Sequence, residues 1–235
     1  MLGAAHILLL LLAALGIVFL LHIVHALPPA RARRTVCAAA LLVPALELTH
    51  SVWLWATGVS HLVQLLPLHL CGIQSLFIPL AVFTRRTCFQ DFVYATSLLG
   101  GVFGILFPAG VADYYPVLSF QTIQTVLLHM LLIFVPLALI RTGEHLPSLH
   151  RFPRVLCIFF AVALVVGTVD RIFGENYMFL YEAPAGTPLV WVFGTFGRPV
   201  YLIVTFLLLA GASLLIHLPF ALRQRQVERA VRQRA

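Results

Sequence analysis

Cys71, in the run Leu66-Pro67-Leu68-His69-Leu70-Cys71, is the residue of this chain best suited to act as a nucleophile. A thiol attacks as its thiolate, so it needs a base or a positive charge close by. His129 is the candidate base, because the order of the apolar segments puts it at a depth that could match Cys71. His69 is nearer in sequence, but residues two apart on a helix point in opposing directions unless a kink after Pro67 redirects them. Glu47 and His50, three residues apart, share one helix face. They could orient the base, hold a substrate head group, or ligate a metal together with His129. The chain offers one Glu-x-x-His, whereas a di-iron bundle uses two such motifs and two further glutamates. No metal and no cofactor is therefore expected.

Other polar residues lie at similar depth. Gln74 follows Cys71, and Gln121, Thr125 and His129 are spaced by four, so they line one face, with Gln124 beside them. Asp170 and Arg171 close another apolar segment, and Arg198 stands inside the last one. Hydrocarbon cannot hydrate such groups, so they mark a site or bond to one another as interhelical glue. Arg198 has Asp170 as its natural internal partner, with a lipid phosphate or carboxylate as the competing one. Arg171 can reach the interface along its own stem.

The elements that must position these groups follow from composition. Hydrophobic residues make up 61% of the 235 and charged residues 10%. Soluble domains carry about 25% charged residues, so an all-α helical membrane protein is expected. Seven apolar stretches can be drawn, at about 4–26, 36–57, 66–83, 89–108, 119–140, 155–173 and 188–220; the first six are near the ~20 residues that a span needs, and the last is long enough to tilt or to emerge as an interfacial helix. Thirteen of the fifteen arginines fall in alternate loops and the tail, and lysine is absent. The positive-inside rule then gives seven transmembrane helices, N-out and C-in. Residues 1–220 form one transmembrane domain and 221–235 a basic cytoplasmic tail. The net charge of +7 sits at span ends, which argues against nucleic acid as a partner. The four cysteines have no C-x-x-C spacing, so neither a disulfide framework nor a zinc knuckle is expected. The first segment lacks a positive n-region and reads as a retained span. With this topology Glu47, His50, His69, Cys71, Gln74, Gln124, Asp170 and Arg198 all fall in the outer half of the membrane. The cytoplasmic half is expected to be dry.

The motif Pro67-Leu68-His69-Leu70-Cys71, His129 followed by Pro136, and Asn176-Tyr177-Met178-Phe179-Leu180 with Pro184 resemble the bacterial YwaF-like integral membrane proteins. These are related to the eukaryotic transmembrane protein 164 family, and the resemblance covers roughly 40–220. The eukaryotic relatives are regarded as cysteine-dependent acyltransferases acting on lysophospholipids, including ether lipids. The resemblance implies Cys71 as the acyl-accepting nucleophile and His129 as general base, in a bacterial inner membrane. A pocket opening outward would not meet cytosolic acyl-CoA, which makes a membrane phospholipid the candidate donor.

The leading expectation is therefore an acyltransferase or transacylase acting on membrane phospholipids or lysophospholipids. In it His69 and Gln74 donate to the oxyanion, while Arg198 and Asn176 hold a lipid phosphate. A carrier or solute-binding component, proton-coupled through His50, His129 or Glu47, is the alternative. An accessory protein whose polar groups only join helices is the third.

Overall fold

The computed structural model describes residues 3–59, 61–107, 111 and 115–232, with 225 and 227–232 described by backbone alone. Among the described residues seven α-helices follow one another: α1 Ala4–Ala26, α2 Pro29–Ala56, α3 Gln74–Thr84, α4 Thr87–Leu106, α5 Phe120–Arg141, α6 Phe152–Phe173 and α7 Leu189–Arg232. Six of them are long and apolar enough to cross a membrane; α3 is the exception. Large apolar side chains such as Leu15 and Phe19 of α1, Leu164 of α6 and Leu207 of α7 stand exposed along these helices. In water that surface would be untenable, and in lipid it is the solvated one. The chain is an all-helical integral membrane protein.

The centre is built from α2, α3, α4 and α5. Val36, Ala40, Val43, Ile78, Ala81, Val82, Val93, Leu132, Val135 and Ala138 are buried there together. Small and β-branched side chains let helix axes approach closely, which is how helices associate in lipid. Gly101 of α4 shows the limit: a Cβ there would lie 2.6 Å from Ile133 and 3.0 Å from the His129 carbonyl oxygen. α1 packs on α5 through Ala13, Ile17 and Ile133, with Ile105 of α4 in the same cluster. α6 packs on α4 through Phe92, Ala95, Phe152 and Val155, and Ala210 of α7 joins that cluster.

Three element boundaries differ clearly from the sequence expectation. α2 begins at Pro29 rather than near 36, because proline is favoured in a first helical turn; Arg31, Arg33 and Arg34 thus ride on the helix. The third apolar stretch, expected to be helical over 66–83, is helical only from Gln74. Its eleven residues reach ~16 Å, about half of a ~30 Å hydrocarbon layer. Pro67 cannot donate a backbone hydrogen bond, and the chain folds from there into a turn that packs Gly72 onto Pro67. The last stretch, by contrast, runs past 220 to Arg232, with one break at Gly197 (φ 76°).

The alternation of helices defines two ends. At the basic end α2, α4 and α6 begin, α3 and α5 end, and Arg33 of α2 donates to the Val82 carbonyl and, at 2.6 Å, to Glu144. At the other end lies the turn bearing Cys71.

Candidate functional site

Cys71 stands in the non-helical turn that leads into α3, half-buried against the central cluster that contains Val43, Ile78 and Leu128. The turn is held in three ways. The Ile73 N–H donates to the His69 carbonyl at 2.9 Å. Gly72 lies so close to Pro67 that a Cβ would be 2.8 Å from its carbonyl oxygen, so no larger residue fits without displacing backbone. Gln74 Nε2 donates both to the Leu70 carbonyl (3.2 Å) and to Thr96 Oγ1 on α4 (3.0 Å). That last pair corrects the expectation of Gln74 as an oxyanion donor, since its amide is committed to fixing the turn.

Several polar groups gather around this turn. Glu47 of α2 is buried and lies within electrostatic reach of Cys71. One helical turn on, His50 Nδ1 is 4.0 Å from Glu47 Oε2. Gln121 Nε2 of α5 donates to His50 Nε2 at 3.1 Å, which places the imidazole proton on Nδ1, facing Glu47. Gln124 Nε2 donates to the Leu46 carbonyl at 3.3 Å and fastens α5 to α2. His69 is within electrostatic reach of His50 and Glu175. Its ring meets Tyr177 edge-on at 4.9 Å and Phe179 at 5.7 Å.

His129 is placed differently. Its Nδ1 donates to the Thr125 carbonyl at 2.7 Å, leaving Nε2 with a free lone pair, as a general base requires. The ring lies over Gly104 of α4, where a Cβ would come within 2.1 Å of Nε2. Among the described residues no hydrogen bond joins His129 to Cys71 or Glu47. Its neighbour Leu128 is the residue that packs in the cluster containing Cys71. Among the described residues, too, no three of His, Cys, Asp or Glu converge as metal ligands would.

The segment after α6 caps this end. Tyr177 hydroxyl donates to the Val63 carbonyl at 2.6 Å. Burial, reinforced by Glu175 and Asp170, pushes this phenol up to about 12, so it remains a donor across the physiological range. The pairing expected between Asp170 and Arg198 does not form. Asp170 Oδ1 accepts the Tyr177 N–H at 2.9 Å, whereas Arg198 Nε donates to the Leu180 carbonyl at 3.0 Å and its guanidinium stacks 3.8 Å from the Tyr181 ring. The break at Gly197 redirects α7 just before Arg198, which leaves that side chain exposed beside the cap. Asn176 is likewise committed to the loop: its Oδ1 accepts from the Tyr181 and Glu182 N–H groups and its Nδ2 donates to the Glu182 carbonyl. It organises the cap.

Sequence reasoning missed a second polar group at the basic end, which was expected to be dry. Asp91 of α4, 1% exposed, receives both Arg151 Nε (2.6 Å) and Nη2 (3.0 Å). His145 Nε2 is 3.5 Å from Asp91 Oδ1. Tyr94 lies between the rings of His145 and His217, and its hydroxyl donates to the Ile216 carbonyl of α7 at 2.6 Å. The signal was present, since an aspartate and a histidine stand within apolar windows at 91 and 217.

The TMEM164 family model matches residues 1–217 of the chain. No curated protein and no solved structure shows detectable similarity to it.

Proposed function

We propose, on the premise that this chain belongs to the TMEM164 family, that it transfers acyl groups between membrane phospholipids, with Cys71 as nucleophile and His129 as general base. In this reading it crosses a bacterial inner membrane seven times, N-out and C-in, residues 66–84 making the third crossing. The observation that carries the reading is the Cys71 turn. It is non-helical, is held by Gly72 and Gln74, carries His69 within electrostatic reach of His50, and sets Cys71 within reach of Glu47. Irregular backbone in a membrane is tolerated where it is enclosed by protein or lines a polar cavity.

The chemistry balances with the groups at hand. A histidine takes the Cys71 proton, and the sulfur attacks the carbonyl carbon of a phospholipid ester. The C–O bond breaks, the lysophospholipid leaves with the proton, and a thioester remains. An acceptor lysophospholipid hydroxyl then gives its proton to the base and attacks the thioester, and Cys71 recovers its proton. The Thr125 bond holds His129 in the tautomer this needs, but its ring must leave Gly104 to reach the sulfur. His50, beside Glu47, is the competing base.

Acyl exchange between labelled phospholipid and lysophospholipid in proteoliposomes tests the reading. Cys71→Ala is expected to abolish exchange while the folded protein is retained. His129→Gln should cost 10²-fold or more and His50→Gln less, in line with general base catalysis; the reverse order would make His50 the base. Full exchange by Cys71→Ala would overturn the covalent mechanism.

The buried polar cluster at the basic end favours one second reading, a proton-coupled carrier, because polar groups then stand at both ends of the bundle. Substrate-dependent proton flux into vesicles that survives Cys71→Ala would mark it.

A further inference from the structure

The basic end holds a buried ionic junction that the proposed acyl transfer does not use. Three elements meet at it: α4 supplies Asp91 and Tyr94, the segment 142–151 supplies His145 and Arg151, and α7 supplies His217. The Asp91–Arg151 pair is bidentate and complete. Around it the polar groups are incomplete. Among the described residues the buried His217 Nε2 has no hydrogen-bond partner, and the buried His145 Nε2 reaches only Asp91 Oδ1, at a long 3.5 Å. Unpaired buried polar atoms are few in native proteins, so two under-satisfied imidazoles beside one ion pair require an explanation. His217 Nδ1 donates to the Ser213 carbonyl at 2.7 Å, which leaves Nε2 as an unprotonated acceptor.

We propose that this junction is a protonation-controlled latch: with His145 and His217 neutral it holds α7 and the 142–151 segment against α4, and proton uptake releases them and admits water to the basic end. The groups facing His145 are Asp91 and Tyr94 from α4, Arg151 from its own segment and His217 from α7. α6 contributes the Phe152 ring, 5.9 Å from that of His217. A proton on either imidazole would add a second cation beside Arg151, with the single carboxylate of Asp91 to balance both. Burial first, then Arg151 and His217, hold the His145 imidazole down to about 4, against the pull of Asp91. A released His145 titrates near 6.5. The released form therefore binds more protons between those values, so the latch is at full strength above about pH 7 and weakens as pH falls toward 4.

Cys88 is a built-in reporter, half-buried in the first turn of α4 and three residues from Asp91. The full chain, with Cys37, Cys71 and Cys157 replaced by alanine, would be placed in phosphatidylcholine nanodiscs and labelled with a charged maleimide. Rates are expressed relative to the denatured chain at each pH. The relative rate is expected to rise by more than about tenfold between pH 7.5 and 4.5. His145→Gln combined with His217→Gln should flatten that rise, and Asp91→Asn should give fast labelling at every pH. Hydrogen exchange of the unmutated chain, corrected for intrinsic pH dependence, should rise in 142–151 and 210–220 but not in α1. A wild-type rate that ignores pH, an unchanged rise in the double variant, or exchange rising evenly through all helices would each overturn the latch.

Discussion

The two ends of the bundle handle buried polarity in opposite ways. At the Cys71 end the groups sit on a turn, on the ends of α2 and α5 and on a cap, and their contacts are loose: 4.0 Å between Glu47 and His50, ring contacts for His69. At the basic end Asp91 and Arg151 form a tight bidentate pair with two histidines close by, all joining helices distant in sequence. The groups on irregular backbone are loosely joined, whereas the tight pair fastens α4 to the 142–151 segment. The same residue types thus stand on irregular backbone at one end and form a joint at the other.

The comparison breaks first at Asp91. Asp91→Asn leaves Arg151 without its carboxylate and should destabilise the protein by roughly 3 kcal/mol, the low end for a broken buried pair because Arg151 is partly exposed. Glu47→Gln removes no tight pair, so its cost should stay under about 1 kcal/mol, the size of an exposed or loosely formed ion pair. Equilibrium unfolding of both variants in detergent measures the difference, and equal losses would erase the distinction between the ends.

The seam connecting the two ends is sharpened by neighbouring glycines of α4. Gly101→Ala drives a Cβ into Ile133 and the His129 backbone and should cost about 1–3 kcal/mol, as overpacking does. A Cβ on Gly100 meets nothing within 4 Å, and Gly100→Ala should be neutral or stabilising by about 0.5–1 kcal/mol through helix propensity. Thermal unfolding of the pair reads the contrast directly. The smallest effect is expected at the cap, where Arg198→Gln loses the stacking on Tyr181, worth about 0.5–1 kcal/mol. A shift of Tyr181 fluorescence with little change in unfolding midpoint is the expected result; a loss as large as that of Asp91→Asn would show the cap to be a joint as well.

Much of the candidate site could be read along the chain. Glu47, His50, His69 and Cys71 were legible because each is a polar residue in an apolar window, and hydrocarbon makes such residues expensive wherever they point. The partners of Gln74, Asn176, Asp170 and Arg198 were not legible, because spacing gives depth but not the partner. Thr96, Tyr181 and Leu180 reached them first, through a tight turn and a break at Gly197 that hydropathy does not register.

By itself the sequence determined that this chain is a helical membrane protein and where most helices run, since hydropathy is summed over a local window and needs no knowledge of neighbours. Tertiary structure decided which polar groups meet. That depends on how each helix is rotated about its axis and on contacts across long separations, such as Arg33 with Glu144, 111 residues away, or Tyr94 with Ile216, 122 away. No window along the chain contains both partners of such a contact.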